Sequence, residues 1–198
     1  MVSVDFADIE RLTFKGDWEA IGELMKQAAQ QLERAGADII LLCTNTIHLV
    51  SHHISENVSI PFMHIATTTG ESIKRLGLKK VALLGTKFTM EKEFYTQTLV
   101  NDFGLEILIP DNNGKRVVHD IIYSELVKGQ FTSFSKQKII EIIKELQNQG
   151  AQGVILGCTE LPILISELDI DIPIFNTGKI HAHTALEWSV GHKNQSAF

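Results

Sequence analysis

The sequence predicts an α/β fold of two similar lobes, each a parallel sheet flanked by helices, with the active site in the cleft between them. Three observations carry this reading. Apolar runs of strand length alternate with stretches of helical periodicity. The runs lack polar alternation, as do strands covered on both faces. A unit also repeats: Gly36-Ala37 leads through an apolar run into Cys43-Thr44-Asn45-Thr46 and then Ile60-Pro61, while Gly150-Ala151 leads into Cys158-Thr159-Glu160-Leu161 and then Ile172-Pro173. The chain has only two cysteines, and they hold the same place in the two units.

The elements run in order along the chain. Asp17 is a helix N-cap, and Ile21, Leu24, Met25, Ala28, Leu32 and Ala35 form the apolar face of a helix that Gly36 stops. Residues 39–43 and 61–65 read as strands, with a helix over 67–76 after the second. A strand over 81–85, a helix over 89–103 and a strand over 105–110 come next, and Pro110-Asp-Asn-Asn-Gly114 marks a polar turn. A helix is expected over 114–128. Another begins after Ser135, with Ile139, Ile140, Ile142, Ile143 and Leu146 on one broad face and Gly150 as its end. Strands over 154–158 and 172–175 and a helix over 179–189 complete the series. The repeat places the first lobe at 1–70 plus 176–198 and the second at 71–175.

The totals narrow the function. At 198 residues the chain can bury a substantial core. A formal charge of −6 argues against nucleic-acid binding. The longest apolar runs are too short to span a bilayer, and no basic patch suggests a membrane surface. No secretory signal is visible at the N-terminus, so a soluble cytoplasmic protein is expected, with its two cysteines as reduced thiols.

Ligands of open α/β sheets gather at the carboxyl ends of the strands, where both cysteines fall. Two thiols facing one another across a cleft can add a proton to one face of a carbon and remove one from the other. Helix N-termini after each Cys-Thr are expected to hold a carboxylate and to lower the thiol pKa from about 8.5. Thr44, Asn45, Thr46 and Thr159 are hydrogen-bonding residues suited to carboxylate and amino groups, or to helix capping. Thr86 ends a third strand, Glu160 can manage the proton of the neighbouring thiol, and His181 comes after the last strand. His48, His52 and His53 fit no tight zinc spacing, and no metal site is expected. No Gly-rich phosphate loop occurs, so nucleotide cofactors have no sequence support.

On Cys43-Thr44-Asn45-Thr46 with His48, Leu83-Leu84-Gly85-Thr86, Gly157-Cys158-Thr159-Glu160, Glu125 to Phe131 and Ile180-His181, the chain resembles the amino-acid racemase branch of the aspartate/glutamate racemase family. The resemblance covers essentially the whole chain. It implies cofactor-independent racemisation of aspartate, glutamate or a broader range of amino acids, by two-base proton transfer at Cα through Cys43 and Cys158. Thr44, Asn45, Thr86 and Thr159 would hold the substrate, with Glu160 and His181 supporting the second cysteine. It further implies a small-molecule partner and a homodimer. The family usually opens with a strand and a Gly-Gly-Met-type loop before a strand like that at 3–6. This chain starts at the latter, so an incomplete first lobe with an unpaired sheet edge is expected. Members acting on acidic amino acids need a cation for the distal carboxylate, and Lys128 and Arg11 are the candidates. A two-cysteine hydantoin racemase or maleate isomerase, or an inactive or truncated ligand-binding homologue, remain the alternatives.

Overall fold

A computed structural model describes residues 1–195. The chain opens with a helix where a strand is expected. Residues 1–5 form no regular element, and α1 (Phe6–Lys15) comes next. The Asp5 carboxylate accepts from the Ala7 N–H at 2.9 Å and caps the helix. Ile9, Leu12 and Thr13 then fall on one buried face. The cap and this periodic burial outweigh the β-propensity of Val4 and Phe6. Helix α2 (Trp18–Arg34) begins as expected, with Asp17 accepting from the Ala20 N–H at 3.2 Å.

Two short strands complete the smaller unit. Strand β1 (Ile40–Leu41) is succeeded by a 3-10 helix, Thr46–Val50, then α3 (His52–Ser55) and β2 (Phe62–Met63). The strands pair in parallel, Ile40 beside Phe62 and Leu41 beside Met63. Among the described residues β1 has no second strand partner. Ile9, Leu12, Ile21, Met25, Ile40 and Ile54 form this unit's core.

The larger unit begins with α4 (Ile65–Arg75) and β3 (Lys80–Gly85). The helix expected over 89–103 breaks at Lys92, whose backbone is extended at ψ 139°, into α5 (Lys87–Glu91) and α6 (Glu93–Phe103). Strand β4 (Glu106–Leu108) leads to α7 (Asn112–Ser124), a 3-10 turn at Leu126–Lys128, and α8 (Ser133–Asn148). Then come β5 (Val154–Gly157), α9 (Leu161–Leu164), β6 (Ile174–Asn176) and α10 (Thr177–Gln195). The four strands are parallel in the order β4-β3-β5-β6.

The lobe boundary expected at residues 70 and 71 falls inside α4. Ile65, Ala66 and Ile73 of α4 are buried in the core that contains β3 and β5, and Ile180 of α10 packs on the same core. Helix α10 also lies against α4, β5 and β6. We therefore propose a boundary before Ile65, with α10 in the larger unit; residues 196–198 lie outside the described residues.

Strands β3 and β5 explain the unbroken apolar runs. Ala82, Leu84, Val154 and Leu156 face α7 and α8, packing against Val118, Ile122, Ile139 and Ile143. Val81, Leu83 and Ile155 face the other way, against α4 and α6. With both faces covered, no position is left for a polar residue. Each fully buried isoleucine or leucine stabilises the fold by about 1.5–3 kcal/mol relative to exposure.

The ends of β3 and β5 approach closely, with Gly85 in register with Gly157. A Cβ on Gly85 would meet the Gly157 carbonyl oxygen at 2.8 Å. This contact sets Thr86 and Cys158 at the same rim. Gly85→Ala is expected to destabilise the protein by about 1–3 kcal/mol, as overpacking of a tight site does, measured by urea denaturation.

Candidate active site

The ends of β1, β3 and β5 bring the expected residues to one cavity of about 450 Å³. Cys43, Thr44, Asn45 and Thr46 line it from the segment after β1, Thr86 from the end of β3, and Cys158, Thr159 and Glu160 from the end of β5. A more open depression of about 870 Å³ elsewhere, lined by Met90, Val100, Ile109 and Lys115 among others, holds none of the expected site residues.

Buried hydrogen bonds fix these segments. The hydroxyls of Thr46, Thr86 and Thr89 form a triangle with sides of 2.9, 3.2 and 3.2 Å. Thr86 also caps α5, its Oγ1 accepting from the Thr89 N–H. Asn45 Nδ2 donates to Thr177 Oγ1 at 3.0 Å, and Thr177 donates its single hydroxyl proton to the Leu156 carbonyl. Thr177 can therefore only accept from Asn45, which fixes the amide orientation. Asn45 Oδ1 is left buried with no hydrogen-bond partner. An unpaired buried acceptor is costly.

The two sulfurs differ in setting. Cys43 is exposed and Cys158 is buried. Cys158 Sγ donates to Glu160 Oε2 at 2.9 Å. Burial first, and then the Glu160 carboxylate, push the Cys158 thiol well above its usual range. The backbone N–H groups of Glu160 and Leu161 act in the opposite sense and are outweighed. The lowered pKa expected of this cysteine is thus reversed. The elements after the cysteines are a five-residue 3-10 helix and the four-residue α9, so few peptide dipoles are aligned to favour an anion. Hydroxyls and the Glu160 hydrogen bond define the polar wall instead.

His181 does not line the cavity. Its Nε2 donates to the Met63 carbonyl at 2.9 Å, and its ring lies 6.2 Å from that of His48. His48 has a structural place: Ile65 N–H donates to its Nε2, so Nδ1 carries the proton and donates to the Thr44 carbonyl at 2.7 Å. It thereby holds the segment that carries Cys43. Arg11 and Lys128 also stand outside the cavity lining. Arg11 pairs with Asp8 at 3.1 Å, and Lys128 is exposed.

Glu10 and Tyr123 line the cavity without having been expected there. Burial first, then the charges of Cys158, Glu10 and Glu160, push the Tyr123 hydroxyl up to about 12. Its ring packs at a tilt against Phe14 of α1, at 5.0 Å, and against His119, at 4.8 Å. A helical reading of residues 6–15 would have put Glu10 beside the buried positions Ile9 and Thr13; for Tyr123 the sequence gives no comparable signal. Among the described residues, no group of three or more His, Cys, Asp or Glu side chains is placed to hold a metal, and no helix is long and apolar enough to cross a membrane.

The family model for Asp/Glu/Hydantoin racemase matches residues 1–185. The chain belongs to this racemase family. A candidate Asp/Glu racemase from Yersinia pestis is 41% identical, with a TM-score of 0.88 over 95% of this chain and 82% of that one. An aspartate racemase homologue from Pyrococcus horikoshii OT3 is 36% identical, with a TM-score of 0.81 over 96% of this chain and 82% of that one. The broad specificity amino-acid racemase RacX of Bacillus subtilis is 23% identical over 185 residues, 90% of this chain and 76% of RacX. The α/β fold of parallel sheets flanked by helices is that of the racemase structures.

The histidine cluster beneath Cys43 gives the racemase fold a pH dependence. Burial lowers His48 well below its ordinary range and lowers His64 to about 4. Between about 6.5, the unfolded value, and about 4, the unfolded chain binds more protons than the folded one. Stability from neutral histidines is therefore full above that window and is lost as the pH falls through it. His64 Nδ1 accepts from the Ala66 N–H and caps α4. His64→Asn keeps a capping side chain and removes the titration. Its melting temperature is expected to fall less between pH 7 and pH 4.5 than that of the parent, as tracked by circular dichroism.

Proposed function

We propose that this chain catalyses cofactor-independent racemisation of an amino acid, with Cys43 and Cys158 exchanging the Cα proton on opposite faces. The observation that supports this most is that both cysteines line one cavity together with threonine hydroxyls and two carboxylates, one of which, Glu160, is bonded to a sulfur. In one direction the Cys43 thiolate takes the Cα proton, and the electron pair stays on carbon, conjugated with the substrate carboxylate. Cys158 then delivers its proton to the other face. In reverse, the Cys158 thiolate left by that step abstracts from its own side and the Cys43 thiol, which holds the proton first taken, delivers it to the opposite face; between turnovers Glu160, 2.9 Å from the Cys158 sulfur, takes or returns that sulfur's proton. Glu160 is thus the proton manager of the more deeply set sulfur.

The hydroxyls of Thr44 and Thr159, which the buried triangle does not use, serve the charge that develops on the carboxylate, because preorganised donors stabilise that charge without reorganisation. Opposed thiols remove the need to turn the substrate over within the cavity.

Single enantiomers incubated in deuterated water are expected to exchange Cα–H for deuterium and lose optical rotation. Cys43→Ala or Cys158→Ala should lower kcat/KM by at least about 10²–10⁴-fold, the usual contribution of one positioned acid or base. Full activity in either variant would sink the two-thiol mechanism. Glu160→Gln is expected to lower kcat/KM for both enantiomers by the same factor, because their equilibrium constant is one, and to leave cooperative unfolding intact, as checked by initial rates and urea denaturation.

A further inference from the structure

Thr89 stands behind the cavity wall and reaches all three strand-end segments of the rim. It is fully buried in α5 and does not line the cavity. Its hydroxyl lies 3.2 Å from that of Thr46, in the segment after Cys43, and 3.2 Å from that of Thr86 at the end of β3. Its methyl faces the backbone where β3 and β5 run closest. A Cβ on Gly85 would meet the Thr89 methyl carbon at 3.2 Å, and one on Gly157, the residue before Cys158, would meet the same carbon at 3.2 Å. The two glycines leave that space, and the methyl fills it. Neither half of the side chain is redundant. Thr89→Val would keep the packing and leave the Thr46 and Thr86 hydroxyls only one another. Thr89→Ser would keep the bonds and open a void against both strand ends.

We propose that Thr89 is a positioning residue of this site. Its hydroxyl sets the segment of Cys43 and its methyl sets the strand end of Cys158, so one buried side chain fixes the gap across which the two thiols share a carbon. The base of that side chain is itself held. The Thr89 N–H donates to Thr86 Oγ1 at 3.2 Å, which ties its backbone to the end of β3. From there the side chain reaches the other two segments. Proton transfer between carbon and sulfur is steep in distance, and about 1 Å of misplacement caused away from the chemistry costs on the order of 10²-fold in rate. A residue that sets this gap without touching the substrate acts on kcat and leaves KM in place. The inference rests on the two-thiol reading for the reaction, and on the contacts of Thr89 alone for the positioning.

The test compares Thr89→Val, Thr89→Ser and Ile73→Val with the parent, each well below its melting transition. Ile73 is buried in the core on the α4 side of the sheet, so its substitution lowers stability without touching the rim. Thr89→Val is expected to lower kcat for Cα deuterium exchange by about 10–10²-fold, with KM within about threefold of the parent, whereas Ile73→Val leaves both constants unchanged. Amide hydrogen exchange separates the two halves of the side chain. Thr89→Val should speed exchange over residues 43–48 and Thr89→Ser over residues 157–160, each against an unchanged background. Thr89→Ser carries the test if Thr89→Val does not fold. An unchanged kcat, a rise in KM alone, or amide exchange raised evenly along the chain overturns the inference and leaves racemisation standing. If the parent exchanges Cα–H in no amino acid, the racemase reading falls and the amide pattern decides. Loosening confined to those segments then supports Thr89 as the positioning residue of the cavity, whereas even loosening overturns both.

Discussion

A buried polar seam holds the two units of this protein in one geometry. The hydroxyl triangle of Thr46, Thr86 and Thr89 ties the segment after β1 to the end of β3. The chain from Asn45 through Thr177 to the Leu156 carbonyl ties the same segment to β5 and α10. These are buried groups, so each would be costly if left unpaired. Everything chemical in the cavity depends on that seam. It sets the segment bearing Cys43 against the strand end bearing Cys158, and the larger sheet gives it a rigid base. Beneath it, His48 bonds the Thr44 carbonyl on one side and the Ile65 N–H on the other, so the same segment is held from both directions.

The two sulfurs are related by sequence position and yet differ in environment. Cys43 lies at the open side, in the segment after a two-residue strand whose other edge has no partner among the described residues. Cys158 lies under cover with a carboxylate on its proton. A pseudo-symmetric chain thus makes an asymmetric site. The asymmetry comes from the residues next to each Cys-Thr: Asn45 and Thr46 bond away to neighbouring elements, whereas Glu160 turns back on its own sulfur.

Much of this was legible in the residues. The six strands among the described residues fall where apolar runs put them, most clearly β3 and β5, which are covered on both faces and so carry no polar alternation to confuse the reading. Asp17 capped its helix as its type and place suggest. The eight polar and thiol residues at the three strand ends were visible because that rim is where such folds put ligands. Other features depend on tertiary contacts. Asp5 decided for a helix over residues 6–15, and one residue of helical rotation separates Glu10 in the cavity from Arg11 in solvent. The same one-residue step separates Val127 from Lys128. His181 has the right sequence neighbours but spends its donor on the Met63 carbonyl. The helix N-termini expected beyond each cysteine are short turns, and burial together with Glu160 outweighs their N–H groups at Cys158.

The hydroxyl triangle also has two states of equal bonding. Each of its three oxygens has one hydrogen to give and room to receive, so the ring of donors can run in either sense with the same set of partners. Passing from one sense to the other requires only rotation about three C–O bonds and no shift of any heavier atom. The wall of the cavity is therefore stiff in position and reversible in polarity, a combination suited to a reaction whose two directions are mirror images.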